Sequence, residues 1–265
     1  MINLKNLNGS EVLGLSLQKS ILEIKKTVSE VILIEDSLDI IIDKNVDVIL
    51  LDKTNSKKVN VRIGTGSNVK YQILNSSNTD RTFKNNGNLE ITEITLGESL
   101  EHLNIDVLNP DSNTNVELLA LGNKYNQSFY QQINHQARST NSNISNFGVA
   151  LNGSNILFDT TGKIVKGMAK SICKQLSKGI IMDDDSLVTS KPILLIDEYD
   201  VIANHGASIG KMSDDSLFYL MSRGLSRTDA FLLILEGIIR PFIDKIAVKE
   251  YQEEIDIKLK SFIKR

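Results

Sequence analysis

At 265 residues, 41% hydrophobic and 24% charged, the chain is long enough for one large domain or a domain with an appendage. Its formal charge of −3, with Lys and Arg scattered rather than striped, argues against nucleic-acid binding. A single cysteine, Cys173, excludes an internal disulfide and a four-cysteine metal site within one chain.

The first ten residues lack the basic segment, apolar stretch and cleavage site of a signal peptide. No apolar run approaches the roughly 20 residues needed to span a bilayer, so the expected location is cytoplasmic. From about residue 16 to 200 the chain reads as many short strands. Val, Ile and Leu segments recur at 31–34, 38–42, 46–51, 59–63, 69–74, 89–96, 103–108 and 116–121. Clusters of Asn, Asp, Gly and Ser, residues that tolerate tight turns, separate them. A spacing of roughly 8–14 residues suits a sandwich, a barrel or a solenoid. In 46–50 and 59–63 apolar and polar residues alternate, as in a half-buried sheet. Asn-Gly turns occur only at 8–9, 86–87 and 152–153, few for a hairpin-built fold. A parallel β-helix also fits, and composition does not choose between these architectures.

After about residue 212 the pattern changes. Ser213 with Asp214 and Asp215 forms a helix start, and Gly224 a stop. Ser226 with Asp229 resembles a capping box, and opens an unusually apolar helix that Pro241 interrupts. A last helix at about 244–264 carries Val248, Tyr251, Ile255, Leu259 and Phe262 on one stripe. The expected organisation is a β body over 1–212 and a helical domain over 213–265.

Catalytic signatures are missing. Gly162-Lys163 has no glycine five residues earlier, and Ile164 follows it, so it is not a phosphate-binding loop. Gly64-Thr65-Gly66-Ser67 reads as a turn, and so do the three aspartates 183–185. The three histidines, His102, His135 and His205, lie far apart in sequence. Cys173, in an apolar neighbourhood, reads as a small hydrophobe unless a nearby base lowers its pKa. The grouped acids and bases of a solenoid polysaccharide lyase are also missing.

Residues 196–210 run Ile-Asp-Glu-Tyr-Asp-Val-Ile-Ala-Asn-His-Gly-Ala-Ser-Ile-Gly, and residues 217–224 run Leu-Phe-Tyr-Leu-Met-Ser-Arg-Gly. Together these stretches resemble the SufB/SufD family of SUF iron–sulfur assembly scaffolds. Residues 133–135, Asn143, Phe158, 162–164 and 191–192 fall in family order, so the resemblance covers about 125–240. It implies a mainly β fold, a right-handed parallel β-helix with a small C-terminal helical domain. It also implies a non-enzymatic role beside the ABC-type ATPase SufC, which fits the absence of a phosphate-binding loop. Family members usually carry a further N-terminal helical region, whereas strand patterning here begins almost at once.

By the same resemblance, His205 matches the His-Gly-Ala histidine of SufD, near the SufB–SufD interface where a nascent cluster forms. SufB has a glutamate after its matching histidine, and this chain has Gly206. A gap-free count places Ser177 near the essential SufB cysteine, with Cys173 four residues away. Both departures favour the SufD type. His205 is therefore the expected cluster-assembly and metal-binding residue, with Cys173 a weaker metal candidate. A transient Fe–S cluster is expected in the complex, and no tightly held cofactor in the isolated chain. The run at 193–196 reads as a strand whose edge joins SufB or a second copy of this chain through Ile193, Leu195, Asp197 and Tyr199. Leu232, Glu236 and Ile239 are the expected contacts to SufC. The alternative function is a structural β-solenoid that binds partners without touching iron or sulfur.

Overall fold

The computed structural model describes residues 1–4, 14–55, 57–74 and 77–263. Two nine-stranded sheets share the strands in alternation. One, here the helix-side sheet, contains β1 (Ile2–Asn3), β4 (Ile32–Ile34), β6 (Asp47–Asp52), β8 (Asn68–Leu74), β10 (Asn88–Thr95), β12 (Asn113–Asn123), β14 (Asn141–Leu151), β16 (Ile172–Ile181) and β18 (Ile202–Lys211). The other, the bare sheet, contains β2 (Leu15–Gln18), β3 (Ile21–Ile24), β5 (Leu38–Ile42), β7 (Lys58–Ile63), β9 (Thr79–Asn85), β11 (Ser99–Val107), β13 (Asn126–His135), β15 (Asn155–Ile164) and β17 (Leu187–Ile196). From β5 onward each strand crosses to the opposite sheet and pairs in parallel with the strand two before it. Among the described residues only β2 and β3 pair antiparallel. The result is a parallel β-helix-like solenoid. Sandwich and barrel are excluded, because their hairpins give antiparallel neighbours.

The turns explain why a two-residue Asn-Gly signal was scarce. Asn152 and Gly153 adopt φ of 55° and 77°, but they carry the chain from β14 in one sheet to β15 in the other. Asn86-Gly87 likewise links β9 to β10, and Gly87 has no room for a Cβ because the Ser67 carbonyl would lie 2.5 Å away. Asn8-Gly9 lies outside the described residues. The aspartates at 183–185 form a turn, and Asp183 accepts the backbone N–H of Asn152 at 2.5 Å.

Three helices follow: α1 (Asp214–Ser222), α2 (Arg227–Ile243) and α3 (Lys249–Ile263). Ser213 and Ser226 cap α1 and α2, accepting from the N–H of Ser216 and Asp229. Gly224 adopts φ 96° just past α1, a left-handed stop that glycine takes without strain. Two boundaries differ from expectation. Pro241 lies inside α2, which continues to Ile243; so close to the C-terminus a proline ends the helix within a turn instead of breaking it at once. Residues 244–248 form the connection, so the last helix starts at Lys249.

The helices lie on the outer face of the helix-side sheet. Leu51, Leu74, Ile94, Leu119, Leu121 and Val149 share a core with Leu235, Ile239 and Ile243 of α2 and with Ile255 and Leu259 of α3. That face is therefore buried twice, and the run Leu118-Leu119-Ala120-Leu121 is apolar on both sides. The bare sheet has one buried face and alternates strictly, as in the B-e-B-i-B-e-B pattern of β9. Among the described residues no helix is long and apolar enough to cross a membrane.

Candidate functional site

The solenoid stops at β17 and β18, each bonded to a neighbour on one side only. Their free edges have a definite phase. Leu187 and Asp197 donate their N–H to Ser154 and Ile164 at 2.9 Å, so odd-numbered residues of β17 bond β15. The even-numbered positions, including Pro192 and Ile196, face the open edge. Pro192 thus sits where its missing N–H costs no internal bond. In β18, Ile202 donates to Ser171 at 3.0 Å, which turns the odd positions, His205 among them, toward the open edge.

Register decides which way the side chains point. Ala203, His205 and Ala207 stand opposite Cys173, Gln175 and Ser177, all buried and lumen-facing. His205 therefore occupies a lumen position, yet it is exposed, because no further coil covers β18. Among the described residues no hydrogen bond or ring contact fixes its imidazole. Cys173 belongs to the covered coil. It is 0% exposed, burial pushes its thiol pKa up, and a hydrogen bond with Ser142 opposes that shift. A thiol held neutral is a poor metal ligand. Gly162 makes room for it: a Cβ there would lie 2.4 Å from the Cys173 sulfur.

The other histidines are elsewhere. His135 is fully buried, with Nδ1 2.6 Å from Thr140 Oγ1 and Nε2 2.8 Å from Ser142 Oγ. Burial lowers its pKa to about 4. His102 stacks on Tyr130 on the outside of the bare sheet, with ring centroids 4.9 Å apart. Among the described residues no group of three or more His, Cys, Asp or Glu side chains could hold a metal.

Ile193 and Leu195 are exposed on the outer face of β17, at 41% and 51%. Asp197 and Tyr199 are exposed in the following turn, Tyr199 completely. Glu198 holds that turn by accepting the N–H of Gly167 at 2.8 Å and of Tyr199 at 2.9 Å, bonds that keep its carboxyl below the usual range. Ile202 on β18 adds a further exposed apolar side chain, a residue the sequence reading passed over.

On α2 the three expected contacts divide. Leu232 and Glu236 are half-buried, but Ile239 is 0% exposed. Ile239 packs into the core between α2 and the sheet, so it fastens the helix rather than facing a partner. Freely exposed apolar side chains include Phe218, Tyr219 and Met221 on α1, Leu233 on α2 and Ile257 on α3. Their signal was present in the apolar helix pattern, but the exposed face could not be read without knowing where the sheet lies.

Comparison with known proteins decides the family. The family described as SUF system FeS cluster assembly, SufBD core domain, matches residues 16–238. The chain belongs to this family. It is 31% identical over 129 residues to the iron–sulfur cluster assembly protein SufD of Bacillus subtilis (strain 168), covering 49% of this chain and 30% of that protein. It is 29% identical over 212 residues to an iron–sulfur cluster assembly SufBD family protein of Staphylococcus epidermidis (strain ATCC 12228 / FDA PCI 1200). That match covers 77% of this chain and 44% of the relative. A SufBD family protein of Staphylococcus aureus (strain USA300) matches to the same extent. The matched stretch is thus less than half the length of these relatives. The family to which it belongs is one of SUF Fe–S cluster assembly proteins.

Proposed function

We propose that the chain is a non-catalytic, SufD-like scaffold subunit, whose open solenoid end receives SufB or a second copy of itself and whose helices couple the assembly to the SufC ATPase. The observation that carries this reading is the last coil. Two unpaired strand edges, exposed apolar side chains and one uncovered lumen histidine are presented together. A sheet edge offers backbone donors and acceptors, and another chain's edge supplies both. Ile193, Leu195, Asp197 and Tyr199 flank that edge as the subunit interface. The cluster is cargo here. His205 supplies one ligand, the paired chain supplies the rest, and Cys173 stays in the core.

SufC would dock on the helices. Phe218, Tyr219, Met221 and Leu233 make an apolar surface beside the half-buried Leu232 and Glu236, and exposed aromatic side chains are frequent interface anchors. The test is co-purification of the full chain with SufC. A chain carrying both Phe218→Ser and Leu233→Ser should fold normally and lose SufC binding by tenfold or more. Retained affinity would place the docking surface elsewhere.

One observation favours the second reading, a structural solenoid with no direct role in iron or sulfur chemistry. The only cysteine is sealed and held neutral. Iron and sulfide content of the native complex, with and without His205→Ala, separates the two.

A further inference from the structure

We propose that Gln175 is a positioning residue for His205: its side-chain carbonyl takes one ring N–H, which fixes the tautomer and leaves the other ring nitrogen free as a lone-pair donor. This rests on the reading of His205 as a cluster-assembly residue, and it adds the second residue that such a role requires. Gln175 stands directly opposite His205 in the parallel ladder, on the same lumen face. Neighbouring strands are about 4.8 Å apart, so the two residues are nearest neighbours across the ladder.

Gln175 is 4% exposed and its two polar ends are treated differently. Its Nε2 donates to the Ile193 carbonyl of β17 at 3.3 Å, which orients the amide across the lumen. Its Oε1 is buried with no hydrogen-bond partner. A buried carbonyl without a donor is a cost that native folds retain for a reason. On β18 the histidine is flanked by Ala203 and Ala207, neither of which carries a side-chain donor. His205 is the residue in register with Gln175, and its ring carries an N–H with no other hydrogen-bond partner among the described residues. A ring with one N–H engaged presents the remaining nitrogen in one direction, which is how histidine ligands are commonly fixed.

His135, two coils before, shows the alternative. There both ring nitrogens meet hydroxyls and none is left over. Gln175 would engage one nitrogen only.

The chain has three histidines, so ring ¹⁵N spectra of the full-length protein resolve each one, with His205 assigned by its loss in His205→Ala. At a pH where the ring is neutral, the wild type should show one dominant His205 tautomer. Gln175→Met keeps the side-chain length and removes the acceptor, and should shift the ring to the mixed tautomers of free imidazole, with His135 and His102 unmoved. A wild-type ring already mixed, or one unchanged by Gln175→Met, overturns the proposal. The wild-type spectrum decides it even if the variant fails to fold. Cluster assembly in His205→Ala is measured separately. Full assembly there would sink the functional reading of His205 while leaving the tautomer result standing.

Discussion

The coil that carries His135 and the coil that carries His205 place a histidine at lumen positions of opposite sheets, and the two side chains end in opposite conditions. His135 is covered by the next coil, both nitrogens are hydrogen-bonded, and burial holds the ring neutral down to about pH 4. His205 is on the last coil, with the same kind of lumen-facing position and nothing beyond it. A solenoid thus makes one residue type structural or available according to whether another turn follows. Buried polar atoms without a partner occur in both kinds of coil, at Ser112, Gln127, Gln131 and Asn146 as well as at Gln175 and Ser190.

The sharpest way to break this comparison lies deep in the closed coils. Arg81 is 1% exposed, and its Nε donates to Asp52 at 2.8 Å and its Nη1 to Glu101 at 2.5 Å. Tyr71 also donates to Asp52, at 2.6 Å. Burial opposes the guanidinium charge, but the two carboxylates outweigh it and hold Arg81 protonated. Arg81→Leu leaves both acids without their cation and should destabilise by about 3–5 kcal/mol in denaturant titration. A loss under about 1 kcal/mol would mean that the cluster hydrates freely and the lumen is not closed there.

Glu93 gives a smaller effect with a distinctive pH signature. It is buried near Asp52, Arg81 and Glu101, and accepts a hydrogen bond from Thr95 Oγ1 at 3.4 Å. Burial raises its pKa well above the usual carboxylate value, Glu101 adds to the rise and Arg81 opposes it. A raised folded pKa means that the native state holds the proton more tightly than the unfolded chain. The resulting stability is full below the unfolded value of about 4.3 and is lost as pH rises toward the folded value. Glu93→Gln should remove that decline from the unfolding free energy. His135 acts in the opposite direction, since its depressed pKa costs stability as pH falls from about 6.5 toward 4. If Glu93→Gln leaves the pH profile unchanged, the proton is not on Glu93.

Much of this was legible in the sequence, and the failures have physical causes. The strands at 38–42, 69–74 and 116–121 stood out because their lumen positions are filled by Ile, Leu, Val, Tyr or Ala. β9 did not, because its lumen positions are Thr79, Arg81, Phe83 and Asn85, only one of them apolar. Alternation showed that sheets exist but not how they pair, since parallel crossovers join residues far apart in the chain. The helix caps were correctly placed at Ser213 and Ser226. Ile239 was misjudged because an all-round apolar helix does not announce which side meets the sheet. His205 was visible only through family resemblance; Gln175 became visible only through register.

The two histidines give a paired test of intermediate size. His135→Ala removes two buried hydrogen bonds, those to Thr140 and Ser142, and should cost about 1–3 kcal/mol. His205→Ala should change stability by less than about 0.5 kcal/mol, as an exposed substitution does, while abolishing cluster assembly in the intact complex. Equal destabilisation by the two would show that the last coil is covered in the native protein.

The smallest effect on folding is expected at Ile196, and it bears directly on the open edge. Its position is even-numbered, so its N–H faces away from β15 and no ladder bond is lost when proline removes it. The residue before a proline prefers extended backbone, which Leu195 already adopts inside β17. Ile196→Pro should therefore fold with wild-type stability to within about 0.5 kcal/mol. What it removes is a donor that a neighbouring chain's strand would use, and its ring fills the space along that edge. Light scattering should then find monomers, or loss of the SufB complex, where the wild type associates. Leu195→Pro is the control for phase: its N–H points toward β15, so the same ring one residue earlier should weaken the fold itself. If Ile196→Pro still pairs, the interface is not on the β17 edge, and β18, with its uninterrupted donors at 203, 205, 207 and 209, becomes the strand to test.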